Sequence, residues 1–251
     1  MPTSAKKAVR KAPFKSELLV SRLDRALRRA GDPERALKEK SYLKSPIAHY
    51  GASVPAIRRA VKGAVGPRAL TRRQLLDVVR RLWSSPIHEQ RMAAVVLLEE
   101  HAGLLAPDDL AVIEDMIRGS FTWAYVDGLA AHSAGTLVEQ HPELAQELDR
   151  WAGDESFWVR RASMLALLLS LREGGGDWNR FTRYADAMLD EQEFFIRKAI
   201  GWVLREASKK RPERVRSYVA SRLDRLSGLT FREAIKRLPP ADREALRRAR
   251  R

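Results

Sequence analysis

Trp123 and Asp127 stand four residues apart, so on a helix they lie one above the other on a single face, which Ala130 and Ala134 share. An aspartate on an otherwise apolar stripe is costly unless it is paired or the stripe lines an open cleft. Arg161 carries the same anomaly, placed between Phe157, Leu165 and Leu168 on its own segment. Two readings follow: an ion pair between neighbouring segments, or a cleft holding a carboxylate, a guanidinium and tryptophans. A third segment bears on the choice. On it Ile196, Ala199, Ile200, Val203 and Ala207 form one stripe, while Phe195, Lys198, Trp202, Arg205 and Lys209 form another, about 150° away at 100° per residue. Cations interleaved with aromatics can hold phosphates and offer Trp202 to a sugar, a base or a cationic ligand. The plainer alternative packs Trp202 against another helix under lysine stems.

A fixed carboxylate beside electron-rich indole faces suits a reaction in which positive charge develops. Cleavage of the glycosidic bond of an N3- or N7-alkylated purine is such a reaction. The base is already cationic and leaves with little acid assistance, and the charge appears on the sugar. Asp127 would stabilise that cation and position the attacking water, with Arg161 gripping the neighbouring phosphate. No aligned lysine or N-terminal amine is evident as a nucleophile, so the chemistry expected is simple hydrolysis without a lyase step.

The elements that must carry these residues are helices. Apolar periodicity is helical almost throughout, predicting about fourteen helices and no sheet, with boundaries at Ser16, Gly31, Ser53-Val54-Pro55, Thr71, Pro107, His141-Pro142 and Arg211-Pro212. Four segments, "HEQRMAAVVLLEEH", "FTWAYVDGLAAHSAGTLVEQHP", "FWVRRASMLALLLSL" and "FFIRKAIGWVLREASKKRP", read as versions of one another. Aligning Met92, Asp127, Arg161 and Lys198 gives steps of 35, 34 and 37 residues, somewhat below the roughly 40-residue period of HEAT and armadillo units. The expectation is an all-α, α-α superhelix, a right-handed solenoid of about six HEAT-like repeats with a concave basic face for DNA.

Charge agrees with that face: 47 Lys and Arg against 32 Asp and Glu leave +15, a footprint for a polyanion, with nucleic acid first and an anionic membrane second. The absence of cysteine excludes disulfides, thiol nucleophiles and cysteine-ligated metals and fits a reducing cytoplasm. Residues 1–15 carry five Lys or Arg without an apolar stretch behind them, which excludes a secretory signal. No run of about 18 uncharged apolar residues is present to span a membrane. The expected organisation is a flexible basic arm over 1–15, a single HEAT-like repeat DNA glycosylase domain over 16–240 and an arginine-rich tail over 241–251, read as a solvated segment rather than the alternative, a helix on DNA.

The segments "KSYLKSPIAHYGASVPAIRR", "FTWAYVD", "FWVRRASMLALL" and "FFIRKAIGWVLRE" together resemble the AlkD-like DNA glycosylases, from about Lys40 to Lys236. The resemblance implies a monofunctional glycosylase that removes alkylated purines from duplex DNA without drawing the damaged base into a pocket. It implies a catalytic cleft of Trp123, Asp127, Arg161 and Trp202. By the same resemblance Phe194, Phe195 and Tyr42 fall in DNA-facing regions, and Lys198 and Arg205 join them through the stripe they share with Trp202. Where the family often has tandem tryptophans, this chain has Thr122-Trp123, and residues 174–176 read as a small loop insertion.

The remaining signals are bland. The five histidines show no HExxH spacing, so no metal and no cofactor are expected. Gly174-Gly175-Gly176 lacks P-loop or GxGxxG context and reads as a connection. Trp83, Trp151, Trp158 and Trp178 read as packing residues. The partner expected is double-stranded DNA with alkylated bases, met by a cytoplasmic monomer, nucleoid-associated if bacterial, with no membrane involved. Two rivals remain: a HEAT-repeat protein that binds damaged or unusual DNA without catalysis, and a protein-scaffolding solenoid with an acidic partner.

Overall fold

The computed structural model describes residues 14–67 and 69–250. The expected basic arm therefore falls outside the described residues, except for Phe14 and Lys15. Among the described residues there are fourteen helices and no strand, the single bridge joining Ala48 and Ile87. The first five are α1 Ser16–Arg29, α2 Pro33–Leu43, α3 Val54–Val65, α4 Arg72–Trp83 and α5 His88–Glu100, followed by α6 Asp109–Arg118. α7 runs over 123–140 with a π turn at Leu129–Ala134; α8 is Ala145–Ala152 and α9 runs over 157–172 with a kink at 166–167. The last five are α10 Trp178–Ala187, α11 Phe194–Ala207, α12 Pro212–Ala220, α13 over 228–237 with a 3-10 end, and α14 Pro240–Ala249.

Local chemistry sets the boundaries. Asp32 caps α2 by accepting from the Glu34 and Arg35 amides, with Pro33 in the first turn. Thr71 and Gln74 form a reciprocal capping box on α4. Helices α4/α5, α6/α7, α8/α9, α10/α11 and α12/α13 succeed one another as hairpin pairs, and α1 with α3 packs against α4 and α5 as a less regular first layer. Within this stack α5, α7, α9, α11 and α13 touch in sequence. A helix flanked on several sides needs apolar residues all round, and α5 is buried without interruption from Met92 to Leu98. Outer helices keep a stripe only, as in α1, where Leu19, Leu23 and Leu27 are buried. Among the described residues no helix is long and apolar enough to cross a membrane.

The arginine-rich end departs from the expected tail. Residues 240–249 are helical, with Leu246 buried and the Arg250 guanidinium 4.4 Å from the Phe231 ring centre. One leucine at the right phase, opened by Pro239-Pro240, is enough to dock a segment whose composition reads as solvated.

Candidate functional site

The site is built where α7, α9 and α11 start or cross. Thr122 caps α7, its hydroxyl accepting from the Ala124 amide at 3.3 Å, and it is buried. It therefore serves the helix start, and only Trp123 of the pair faces the cleft. The π turn at 129–134 follows Asp127 by one residue. Such a turn rotates everything after it relative to what precedes it. Ala130 and Ala134, expected on the Asp127 face, are fully buried in the core instead. Close approach completes the placement. A Cβ on Gly135 would lie 2.5 Å from the Ala166 carbonyl oxygen, so only glycine lets α7 come this near to α9.

Across that junction Arg161 meets Asp127. Its Nε donates to Oδ1 at 2.9 Å and an Nη to Oδ2 at 3.1 Å, a two-pronged pair, while the other Nη donates to the Phe195 carbonyl at 2.5 Å. Arg161 is 2% exposed, whereas the Asp127 side chain retains 17% exposure toward the cleft. The guanidinium is directed inward and fixes the carboxylate; at this burial its two remaining N–H groups present almost no surface to a phosphate. Burial pushes the Asp127 carboxyl above its ordinary value; Arg161 and, more weakly, the Lys198 ammonium pull it back without cancelling the rise. The ion-pair reading and the cleft reading are thus both realised in one constellation.

Tyr42, Trp123, Asp127, Arg161, Phe194, Phe195, Lys198, Trp202 and Arg205 all line one cleft of about 300 Å3. Tyr42, 73% exposed, meets Trp123 edge-on with ring centres 6.3 Å apart. Trp202 is half-buried, and the Arg161 guanidinium lies 6.0 Å from its ring centre. The two phenylalanines differ. Phe194 projects, 52% exposed, with Lys198 6.0 Å from its ring centre. Phe195 is half-buried against Phe157 and Trp158 and forms the wall behind Arg161. Arg205 is tied to Glu233 and lies 3.5 Å from Glu206. Trp158 stays a packing residue, as do Trp151, which donates to Glu114 at 2.9 Å, and Trp178, which packs on Phe181 and Tyr218.

Sequence reasoning missed two features that support the site. The Phe195 carbonyl is a backbone acceptor for Arg161, and no residue type signals it. Against Tyr125 of α7, His49 and His88 stack with ring centres 4.2 Å apart and planes within 7°, beside Glu39. This is the one candidate metal group among the described residues. Parallel planes hold the in-plane lone pairs side by side, so they do not converge on one ion. His88 Nδ1 is moreover engaged with the Tyr125 hydroxyl at 2.7 Å. Burial pushes His88 down to about 3 and lowers His49 as well, keeping both rings neutral as packing for Tyr125 on α7.

No curated protein matches the chain. Several solved structures share its fold. The first, described as a predicted DNA alkylation repair enzyme from Enterococcus faecalis, is 24% identical with a TM-score of 0.72 over 84% of this chain and 97% of that one. AlkD2 from Streptococcus mutans is 16% identical, TM-score 0.60, over 89% and 99%. The smu.31 protein of Streptococcus mutans UA159 is 14% identical, TM-score 0.51, over 92% and 97%. The family described as "DNA alkylation repair enzyme" matches residues 23–238, which include every residue of the cleft, and the chain belongs to that family.

Proposed function

We propose that the protein is a monofunctional DNA glycosylase that hydrolyses the N-glycosidic bond of positively charged alkylated purines, N3-methyladenine and N7-methylguanine, in duplex DNA. The observation that carries this reading is Asp127: a desolvated carboxylate, held by two bonds from a buried Arg161, in a cleft with Trp123 and Trp202. A carboxylate lifted out of water lacks full compensation in the resting state. It gains most when a cation forms beside it, which is what the breaking glycosidic bond supplies at the sugar. Each Asp127 oxygen has a lone pair left after the Arg161 bond. One can face the sugar and the other can orient the attacking water.

The indoles of Trp123 and Trp202 offer π faces to the cationic base and sugar, about 0.5–2 kcal/mol for each such interaction. Arg161 acts as a positioning residue for Asp127, and phosphate binding passes to Lys198, with Arg205 at the cleft edge. Tyr42 and Phe194 touch the lesion's backbone and neighbouring bases. The damaged base stays in the duplex, unlike the extrusion used by flipping enzymes. The protein works as a cytoplasmic monomer with no cofactor.

The test is release of N7-methylguanine and N3-methyladenine from methylated duplex DNA by the native protein and by Asp127→Asn. Release that disappears in the variant while duplex binding persists supports the reading. A native protein that binds duplex DNA well and releases neither base overturns it in favour of a non-catalytic binder of damaged or unusual DNA.

A further inference from the structure

The aromatic and cationic stripe of α11 does not end at the cleft. Beyond Trp202 and Arg205 the helix ends at Ala207, about 8 Å past Trp202 along the axis at 1.5 Å per residue, and Lys209 follows in the closing turn. There the charge distribution changes. Glu206, 6% exposed, gathers cations from two repeats. Arg172 at the end of α9 lies 3.3 Å from it, Lys209 touches it, and Arg205 lies 3.5 Å away. Burial alone would push the Glu206 carboxyl up, but Lys209, Arg172 and, from α13, Arg237 hold it below its ordinary value. Glu233 adds a second carboxylate through Arg205.

Three cations, Arg172, Lys209 and Arg205, therefore face two carboxylates at contact distance, leaving one positive charge uncompensated. The Nε atoms of Arg172 and Arg205 are buried without a hydrogen-bond partner. An ordinary ion-pair network balances its charge and satisfies its donors. This one does neither, and the carboxylate at its centre preorganises the cations more than it neutralises them.

We propose that Arg172 and Lys209, oriented by Glu206, form a second phosphate site that holds the DNA backbone on one side of the lesion. The proposal rests on the duplex-DNA reading given above. The roughly 8 Å from Trp202 to the end of α11 corresponds to about two nucleotide steps at 3.4 Å of helix axis per strand, so a strand laid along α11 reaches from the cleft to this cluster. The site fixes the register of the duplex, which a flat basic surface would leave free to slide.

The experiment measures the affinity for a 25-base-pair duplex carrying a central tetrahydrofuran abasic analogue, as a function of salt, for the native protein and for Arg172→Ala/Lys209→Ala. The expected result is a loss of about tenfold in affinity and a log–log salt slope shallower by about one, as expected when one phosphate is no longer neutralised by the protein. Shortening the duplex on one side of the lesion only should weaken the native protein and leave the double variant little changed. The charge-conserving pair Arg172→Lys/Lys209→Arg should keep most of the slope, separating loss of the phosphate site from damage to the fold. Equal slopes and affinities for the native protein and the alanine variant, with the native protein binding tightly, overturn the second site and leave the DNA reading standing. A native protein that does not bind the duplex overturns both.

Discussion

Arginine–carboxylate pairs join neighbouring repeats on both sides of this molecule, with nearly the same sequence separation and opposite consequences. On the first helices of the pairs, Glu114 accepts from Arg118 and from Arg150, 36 residues on, and from the Trp151 indole. Asp149 accepts from Arg180, Arg183 and Tyr184 in the next repeat. In the cleft, Asp127 takes Arg161, 34 residues on. For Glu114 burial raises the carboxyl, but bonds from Arg150, Arg118 and Trp151 more than offset it and hold it down at about 2; Asp149, bonded first of all by Arg180, is likewise near 2. Asp127, with a single arginine, stays above its ordinary value. The outer carboxylates are stabilised in the folded state. The inner one is left short of partners in a place a ligand can reach, and that shortfall supports the role proposed for it.

The largest test of this contrast is the charge itself. Asp127→Asn should lower excision of N7-methylguanine by about 10²–10³-fold, the scale for removing one preorganised electrostatic group from an active site, with duplex affinity changed little. The acid limb offers a finer check. A carboxyl raised by burial protonates at a pH above the ordinary carboxylate range, and the catalytic form is the ionised one. Single-turnover excision by the native protein should therefore fall off, as pH is lowered, before free aspartate would titrate. An acid limb at or below the ordinary aspartate value would remove the distinction between the inner and outer carboxylates.

Next in size is the cost of breaking each kind of pair. Arg161→Ala leaves Asp127 buried and unpaired and frees the Phe195 carbonyl. It should cost about 3–5 kcal/mol in denaturant unfolding. The double variant Arg161→Ala/Asp127→Ala should recover part of that loss, because the uncompensated charge is gone. A single variant as stable as the native protein would mean that Asp127 is better solvated than its position implies.

How far the chain discloses these features depends on range. The helices, the repeat period and seven of the nine cleft residues are legible, because aromatic and charged residues sit where helical phase demands apolar ones; Tyr42 and Phe194 come only through the family resemblance. Residues 241–251 mislead for the converse reason: with one apolar anchor, Leu246, composition outweighs phase. The π turn is hidden because "LAAHSA" fits an α-helix equally well; it lies where α7 packs against both α5 and α9. The inward direction of Arg161 depends on a backbone carbonyl in the next repeat, which no side-chain pattern encodes.

The stacked histidines against Tyr125 give a pH effect of intermediate size that is independent of Asp127. His88 is depressed to about 3 by burial, with the His49 and Arg35 charges adding to it. A depressed histidine is neutral when folded, while in the unfolded chain it titrates near 6.5. The unfolded state therefore binds more protons between those values, so stability is full above about 6.5 and declines as pH falls toward 3. At pH 5 the loss from His88 alone is about 2 kcal/mol. Urea unfolding at pH 7 and pH 5 should show that drop, and His88→Asn should shrink it. An unchanged pH dependence in the variant would place the proton uptake elsewhere.

The smallest effect should come from the outer face. Arg150 is half exposed and is one of three donors to Glu114. Arg150→Ala leaves that carboxylate with Arg118 and Trp151, so no buried charge is orphaned. Solvent and salt screen the interaction that is removed, and the cost should stay below about 1 kcal/mol, shrinking further in 0.5 M salt. Excision should be indifferent to it. If Arg150→Ala destabilised the protein as much as Arg161→Ala, the outer pairs would be carrying the stack in the same way as the inner one. The two faces would then differ only in what they can reach, whereas redundancy of donors is what protects the outer carboxylates and its absence is what exposes Asp127.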